Sequence, residues 1–195
     1  MSYFLPGLWH FAAAMAWAVA LGFWSGDPLL WLRRVEFMVP LVVSSSALFF
    51  IPDSLAKKGV MKFLHYPLPD WDVLLLGPAS HRNWITHSPL LPVLAGALLW
   101  KYPILLNENY PFRWIATGLA AGIGSHLFWD CVGSRDHKII VVPYWFSFRS
   151  AFSRLWLLGG AAICLGAAAA FGDAKPALEK PADKQPFSVR FLQRR

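Results

Sequence analysis

The sequence predicts an all-α, polytopic membrane protein with about five transmembrane helices and a long loop at the membrane surface. Hydrophobic residues make up 56% of the chain and charged residues only 15%, a balance that is unusual for a soluble domain. A transmembrane helix needs about 20 predominantly apolar residues, and several stretches approach that length. We predict spans at residues 3–24, 35–52, 88–106, 112–132 and 150–171.

The first and last of these stretches carry the membrane prediction. Both "FAAAMAWAVALGFW" and "LWLLGGAAICLGAAAAF" are apolar on every face, whereas a surface helix of a soluble bundle, the alternative fold, has a polar stripe. No Lys or Arg precedes Arg33, and the first apolar run is longer than the core of a usual secretory signal. We therefore expect the first helix to be retained.

The predicted domain organisation has two parts. Residues 1–171 are expected to form one integral membrane domain, in which the connection 53–87 bears the site. Residues 172–195, "GDAKPALEKPADKQPFSVRFLQRR", are rich in charge and proline and are predicted to be a flexible basic tail. No nucleic-acid motif accompanies this charge, so the expected partner is the lipid bilayer and not nucleic acid.

The site-bearing loop contains two closely spaced carboxylates. Pro67 and Pro69 favour extended backbone in the residues before them, and in an extended segment Asp70 and Asp72 point the same way. Adjacent carboxylates repel each other unless a proton or a cation lies between them, and divalent cations favour such oxygen ligands. The alternative is a pair of loop aspartates that face water.

The next motif, "HRNWITHSPLL", brings imidazoles to the end of an apolar segment. Ser88 and Pro89 are typical of the N-cap and first turn of a helix, which leaves His87 just outside the third span, with His81 in the preceding loop. Arg82 adds a permanent cation suited to a carboxylate or phosphate.

The fourth apolar segment, "GLAAGIGSHLFWDCV", carries His126 and Asp130. Their i, i+4 spacing places both on one helix face, and polar groups in a membrane helix are expected to face the protein interior. A structural hydrogen bond between helices is the alternative role. The hairpin of the third and fourth spans returns this pair to the surface that bears the loop, and five spans place His10 there too.

These motifs resemble those of the bacterial inner-membrane metal-dependent hydrolases of the YdjM type. The resemblance covers about residues 66–146, in the family's order and at compatible spacing, and H-R-x-x-T-H-S is its specific part. It rests on "LPDWD" (68–72), "HRNWITHSPLL" (81–91), "GIGSHLFWD" (122–130) and "IIVVPYW" (139–145).

The resemblance implies a metal site and a location in the bacterial inner membrane. It also implies a hydrolytic activity, which in that family is itself inferred from the motifs and from a distant likeness to metal-dependent phospholipases. His10 corresponds to a histidine that the family often has near its N-terminus, at a longer spacing here. The positions that match the family's metal ligands are Asp70, Asp72, His81, His87, His126 and Asp130.

The chemistry of this ligand set agrees with hydrolysis. Mixed imidazole and carboxylate ligands suit Zn²⁺, Mn²⁺ or Fe, and a bound divalent metal lowers the pKa of its water. Asp70 or Asp130 is expected to act as general base where it is not a ligand, and Arg82 to steady a phosphate. A site among apolar helices at the membrane surface favours an ester or phosphoester of a lipid-like substrate.

Two other functions remain open from the sequence. The chain is alternatively a non-enzymatic scaffold, or a subunit of a larger membrane protein complex, in which the His/Asp cluster is structural. An intramembrane serine hydrolase built on Ser125 is the third interpretation, which is disfavoured because Ser125 directly precedes His126 and adjacent residues of a helix do not face each other.

Overall fold

The chain folds into helices joined by turns and one small β-hairpin, as a computed structural model shows. The structure describes residues 4–27, 29, 31–56, 59–106, 111–133, 138–142, 145–148 and 151–173. The α-helices are α1 (Phe4–Trp24), α2 (Val35–Ser45), α3 (Asp53–Ala56), α4 (Val60–Leu64), α5 (Trp71–Leu76), α6 (Leu90–Lys101), α7 (Phe112–Gly133) and α8 (Ala151–Asp173). Short 3₁₀ helices lie at Leu68–Asp70, Pro78–Ser80 and Pro103–Leu106, and the hairpin strands are β1 (Ile139–Val142) and β2 (Phe146–Phe148).

The predominantly helical fold confirms the coarse prediction. Two of the described helices are long and apolar enough to cross a membrane, over Leu5–Trp24 in α1 and over Ala151–Asp173 in α8. These correspond to the first and last predicted spans. A topology with five spans stays a prediction.

The second and third predicted spans contain helices that are shorter than predicted. α2 has 11 residues and α6 has 12. α2 ends in a run of serines whose hydroxyls bond to nearby carbonyls, as Ser44 Oγ does to Pro40 O at 2.6 Å, and such bonds compete with helix continuation. Ala47 then takes a positive φ of 54°. α6 stops at Lys101 because Tyr102, the residue before Pro103, is disfavoured in helical backbone.

α7 lies at the centre of the bundle and packs most extensively against α8 and α2, and also against α1 and α6. Close approach to α2 depends on two glycines, because a Cβ at Gly118 would overlap the carbonyl of Phe37, and one at Gly122 would overlap Leu41 O and Ser44 Oγ. Small residues of this kind are what allows membrane helices to pack backbone to backbone.

Arg113 joins the first turn of α7 to the last turn of α8. Its Nε donates to Phe171 O at 2.8 Å and its Nη2 donates to Gly172 O. The last carbonyls of a helix have no partner within the helix and carry partial negative charge. The guanidinium therefore caps α8 and fixes the antiparallel alignment of α7 and α8.

The backbone around Asp70 and Asp72 corrects one prediction. The segment is not extended: Leu68–Asp70 forms a 3₁₀ turn that continues into α5. Pro69 lies in the first turn of this helical segment, where its fixed φ is favourable and its missing N–H is not needed. The two carboxylates therefore do not point the same way along a strand.

Two boundaries also differ from the predictions. The segment "IIVVPYW" contributes to an antiparallel β-hairpin, which an all-α fold does not include. Gly172 and Asp173, assigned to the flexible tail, belong to α8, and the rest of that predicted tail lies outside the described residues.

We predict that Gly122→Ala weakens the fold while Gly166→Ala does not. The methyl group at position 122 overlaps α2, and overpacking of this kind costs about 1–3 kcal/mol of unfolding free energy. A Cβ at Gly166 in α8 meets no heavy atom within 4 Å, and Ala is favoured over Gly inside a helix by roughly 0.5–1 kcal/mol. Thermal unfolding in detergent measures both variants, and equal stabilities would contradict the packing described for α7 and α2.

Candidate metal centre

One end of the bundle gathers imidazoles and carboxylates from three parts of the chain. His10 comes from α1, His126 and Asp130 come from α7, and the remaining members come from the loop between α2 and α6. Within the described residues, two groups have ligand atoms that all lie within 4.8 Å of one another. They are His10, His126 and Asp130, and Asp70, His81 and His87.

The two groups are in direct contact and form one cluster. His87 Nε2 lies 3.4 Å from Asp70 Oδ1 and 3.5 Å from Asp130 Oδ2. His126 Nε2 lies 3.6 Å from Asp70 Oδ1 and 3.7 Å from Asp130 Oδ2. His81 Nδ1 is 3.5 Å from Asp70 Oδ1. Each of the two carboxylates thus faces imidazoles of both groups.

These separations fit metal coordination better than hydrogen bonding. An N–H···O bond has a heavy-atom distance of about 2.7–3.2 Å. Two ligand atoms about 2.0–2.1 Å from one tetrahedral ion are about 3.3–3.4 Å apart. Among the described residues, the buried atoms His87 Nε2 and His126 Nε2 have no hydrogen-bond partner. An ion between the imidazoles and the carboxylates would satisfy both nitrogens.

The other nitrogen of His126 is held by α2. His126 Nδ1 lies 2.9 Å from the carbonyl of Ser45, the last residue of α2. A carbonyl at a helix C-terminus is free to accept this bond. With its proton on Nδ1, the ring presents an unprotonated Nε2 to a metal, which is the usual way in which a second partner orients a histidine ligand. The ring of His10 stacks on that of His126 with centroids 4.2 Å apart.

Asp72 contacts the far side of the His87 ring. Its Oδ2 lies 3.5 Å from His87 Nδ1, and it accepts hydrogen bonds from Asn83 N at 2.7 Å and from Thr86 Oγ1 at 2.9 Å. Asp70 and Asp72 therefore face opposite nitrogens of one imidazole. The role of Asp72 as a ligand stays a prediction; it lies outside the two groups above, and its contacts orient the ring of His87.

Arg82 is engaged with the cluster through Asp130. Its Nε lies 3.2 Å from Asp130 Oδ2 and its Nη2 lies 3.5 Å from Oδ1. The backbone of Arg82 has a φ of 66°, a left-handed conformation that costs about 1–2 kcal/mol for a residue with a Cβ. The guanidinium that was predicted to steady a phosphate thus binds a carboxylate of the cluster itself.

The hairpin and α8 hold the histidine loop in place. Ile140 in β1 donates its N–H to Arg82 O and accepts one from Trp84 N, both at 2.9 Å. Trp156 in α8 donates from Nε1 to His87 O at 2.8 Å. The loop backbone is therefore held by β1 at Arg82 and Trp84 and by α8 at His87.

Burial and neighbouring charges shift the pKa values of the cluster residues that lie in the loop between α2 and α6. Burial alone would lower the pKa of His87, but its contacts with Asp130, Asp70 and Asp72 raise that pKa well above the ordinary value. Burial alone would raise the pKa of Asp70, but His126, His87 and His81 hold it well below the ordinary value. His81, whose side chain is 44% exposed, has a lowered pKa, chiefly because of desolvation.

A cavity of about 430 Å³ opens beside the cluster between the start of α1 and the end of α7. His10 and Asp130 line it, together with apolar residues that include Trp9 and Trp129. His10 Nδ1 is buried and has no hydrogen-bond partner in the described part of the chain. The cavity gives a small molecule access to the cluster.

The structure brings together every residue that the sequence singled out for the site, including His10. Sequence reasoning missed Ser45, Asn83 and Thr86, which orient the ligands. The polar run of residues 44–46 at the end of an apolar segment was the available signal for Ser45. Ser125 is fully buried and donates from Oγ to Gly122 O at 2.9 Å, so its hydroxyl is used within its own helix.

Comparison with known proteins finds no family model that matches the chain, and no curated protein or solved structure that is significantly similar to it.

We predict that the purified protein binds one or two divalent ions, because the cluster offers enough ligands for one and its two groups allow a pair about 3.5–4 Å apart. His126→Ala should lower the metal content measured by elemental analysis. His65→Gln is the control, because His65 is buried but belongs to neither group. Protein that stays metal-free after reconstitution with Zn²⁺, Mn²⁺ and Fe²⁺ would refute the site.

Metal binding should also release protons near neutral pH. Since the pKa of His87 is raised, this residue carries a proton in the metal-free protein, and a metal must displace that proton to reach Nε2. Apparent affinity should therefore fall as the pH drops below the raised pKa of His87. Titration calorimetry in buffers of different ionisation enthalpy measures the released protons. Binding that is independent of pH between 5 and 8 would exclude His87 as a ligand.

Proposed function

We propose that the protein is a membrane-bound metal-dependent hydrolase that acts on an ester or phosphoester of a lipid-like substrate. The observation that carries the proposal is the pair of buried Nε2 atoms of His87 and His126, which lack hydrogen-bond partners among the described residues and face Asp70 and Asp130 at 3.4–3.7 Å. Mixed donors of this kind suit Zn²⁺, Mn²⁺ or Fe.

The donor set divides into ligands and residues that orient them. His87, His126, Asp70 and Asp130 would hold the ion, and His10 and His81 supply further imidazoles at the edges of the cluster. A divalent ion held there lowers the pKa of a water and polarises an ester oxygen. Asp72 and the Ser45 carbonyl fix the two central imidazoles, which keeps their Nε2 atoms in position without rearrangement during the reaction.

Asp130 is the carboxylate best placed to act as a general base. It lines the cavity, and its two oxygens have different imidazole neighbours: Oδ2 faces His87 and His126, whereas Oδ1 faces His10 at 3.8 Å and also accepts from Arg82 Nη2 at 3.5 Å. Arg82 keeps the group ionised and fixes its plane. We assign Oδ1 to the acceptance of a proton from the attacking water, as general base.

The lipid character of the substrate rests on where the site lies. α1 and α8 are long and apolar enough to span a membrane, and their outward faces expose large apolar side chains such as Trp24 and Leu155. We propose that α2, α6 and α7 complete a five-span arrangement, so that the cluster lies near one membrane surface. The resemblance of the motifs to the YdjM type supports a place in the bacterial inner membrane.

The alternative function is a scaffold or a subunit of a membrane complex, in which the cluster has a structural role. The two functions differ in what they require of the same residues. A structural cluster needs its carboxylates and imidazoles to be paired, but it needs no cavity that reaches His10 and Asp130. The cavity that reaches His10 and Asp130 therefore favours catalysis over a structural role. Metal content alone does not separate the two functions, whereas turnover does.

We predict that Asp130→Asn and His126→Ala each abolish metal-dependent hydrolysis and lower metal content, while the protein still inserts and folds. The double variant should lose little beyond either single variant, because residues of one site act as a unit and are strongly non-additive. The measurements are release of phosphate and of fatty acid from phospholipids, with metal content and thermal unfolding recorded for each variant.

Two results would count against this function. Normal metal content in both single variants, with unfolding free energy reduced by the about 1–3 kcal/mol that an unpaired buried polar group costs, would indicate a structural cluster. Full activity on a soluble phosphoester and none on any lipid would retain the hydrolase and refute the lipid substrate.

A further inference from the structure

A second cavity lies between α1 and α7, next to the one that reaches the metal centre. It has a volume of about 390 Å³ and is lined by apolar residues of α1 and α7. Trp129 borders both this cavity and the one that reaches His10 and Asp130. The lining residues are Ala13, Ala16, Trp17, Ala20, Phe128 and Trp129, and we call this cavity the furrow.

The sequence of α1 explains why the surface is concave there. Ala13, Ala16 and Ala20 follow one another at helical spacing on one face, and Ala16 and Ala20 are exposed. Larger rings border them, since Trp9 stacks on Trp129 at 5.8 Å and Trp17 meets Phe128 edge to face at 5.6 Å. Small residues between aromatic walls leave a trough that is open to the side.

The dimensions and the position of the furrow fit one occupant. From His10 to Ala20 the axis of α1 rises about 15 Å, roughly half of the hydrocarbon thickness of a bilayer. The furrow lies on a helix long enough to span a membrane, so its open side faces the bilayer if α1 spans. His10 lines the neighbouring cavity and lies three residues before Ala13 on α1; it is 7% exposed, and its Nδ1 has no hydrogen-bond partner in the described residues.

We propose that the acyl chain of a membrane lipid lies in the furrow between α1 and α7, with its ester or phosphoester group in the cavity at the metal centre. This proposal rests on the proposed hydrolytic function, which it deepens by naming the part of the substrate that is recognised. The lipid enters the site laterally from the bilayer. The furrow along α1 then determines which chain lengths are bound. Burial of each methylene in the furrow then adds to binding.

The test uses substitutions at different distances from the metal centre. Ala16→Phe fills the furrow about 9 Å along the α1 axis from His10, and Ala20→Phe fills it about 15 Å away. Ala162→Phe is the matched control, because Ala162 is exposed on α8, outside the furrow. The substrates are lysophosphatidic acids with butanoyl, octanoyl and palmitoyl chains, from which release of both fatty acid and phosphate is measured with metal-loaded protein.

The expected result is a graded loss that depends on chain length. Ala16→Phe should lower kcat/KM for the octanoyl and palmitoyl substrates by about tenfold or more, because displacement of even two methylenes has that effect. Ala20→Phe should lower only the palmitoyl value, and neither variant should change the butanoyl value. Ala162→Phe should match the wild type throughout. Turnover that is independent of chain length, or unaffected by Ala16→Phe, would overturn the furrow and leave the hydrolase intact.

A binding measurement keeps the furrow testable if no lysophosphatidic acid is hydrolysed, which would count against the proposed function alone. A palmitoyl lysophosphatidic acid with a photoreactive diazirine in its chain is irradiated with each protein, and labelled peptides are mapped by mass spectrometry. Labelling of α1 and α7 around the furrow that unlabelled palmitoyl lipid competes away, and that Ala16→Phe but not Ala162→Phe reduces severalfold, supports the proposal. Labelling spread evenly over all apolar helices indicates bulk lipid only and overturns it.

Discussion

The buried negative charge of Asp70, Asp72 and Asp130 is the constraint on which the rest of the structure depends. Each of these residues is at most 7% exposed, and an ionised carboxylate in an apolar interior is very costly unless it is paired. The chain meets this requirement with imidazoles from three segments and with the guanidinium of Arg82. The meeting point of α1, α7 and the histidine loop is therefore fixed by charge and not only by the packing of apolar surfaces.

The same constraint explains the irregular backbone around the site. The left-handed residue Arg82 and the bridge from the loop to Ile140 do not improve the apolar core, yet they bring a guanidinium to Asp130 and a backbone N–H to Asp72. Backbone strain of this sort is retained where the surrounding contacts determine the conformation fully. The hairpin has only two strands, too few to be stable alone, and it supports the loop through the contacts of Ile140.

Much of this arrangement could be predicted from the sequence, because its strongest signals are local. Long apolar runs identified α1 and α8, and the i, i+4 spacing of His126 and Asp130 identified a shared helix face. Features that depend on distant partners could not be predicted. The orientation of His126 requires a carbonyl 81 residues away, and the position of Asp72 behind His87 follows from a helical turn where two prolines indicated extended chain. Apolar composition also does not reveal where α2 and α6 stop.

The early end of α2 would matter for the lipid in the five-span arrangement proposed above. A helix of 11 residues is about 16 Å long, which is well short of a hydrocarbon core of about 30 Å. If α2 spans, the bilayer around it would have to thin to relieve this hydrophobic mismatch. Because the carbonyl of Ser45 at the end of α2 contacts His126, such thinning would lie next to the imidazole cluster, and membrane thickness would then affect the hydration of the site.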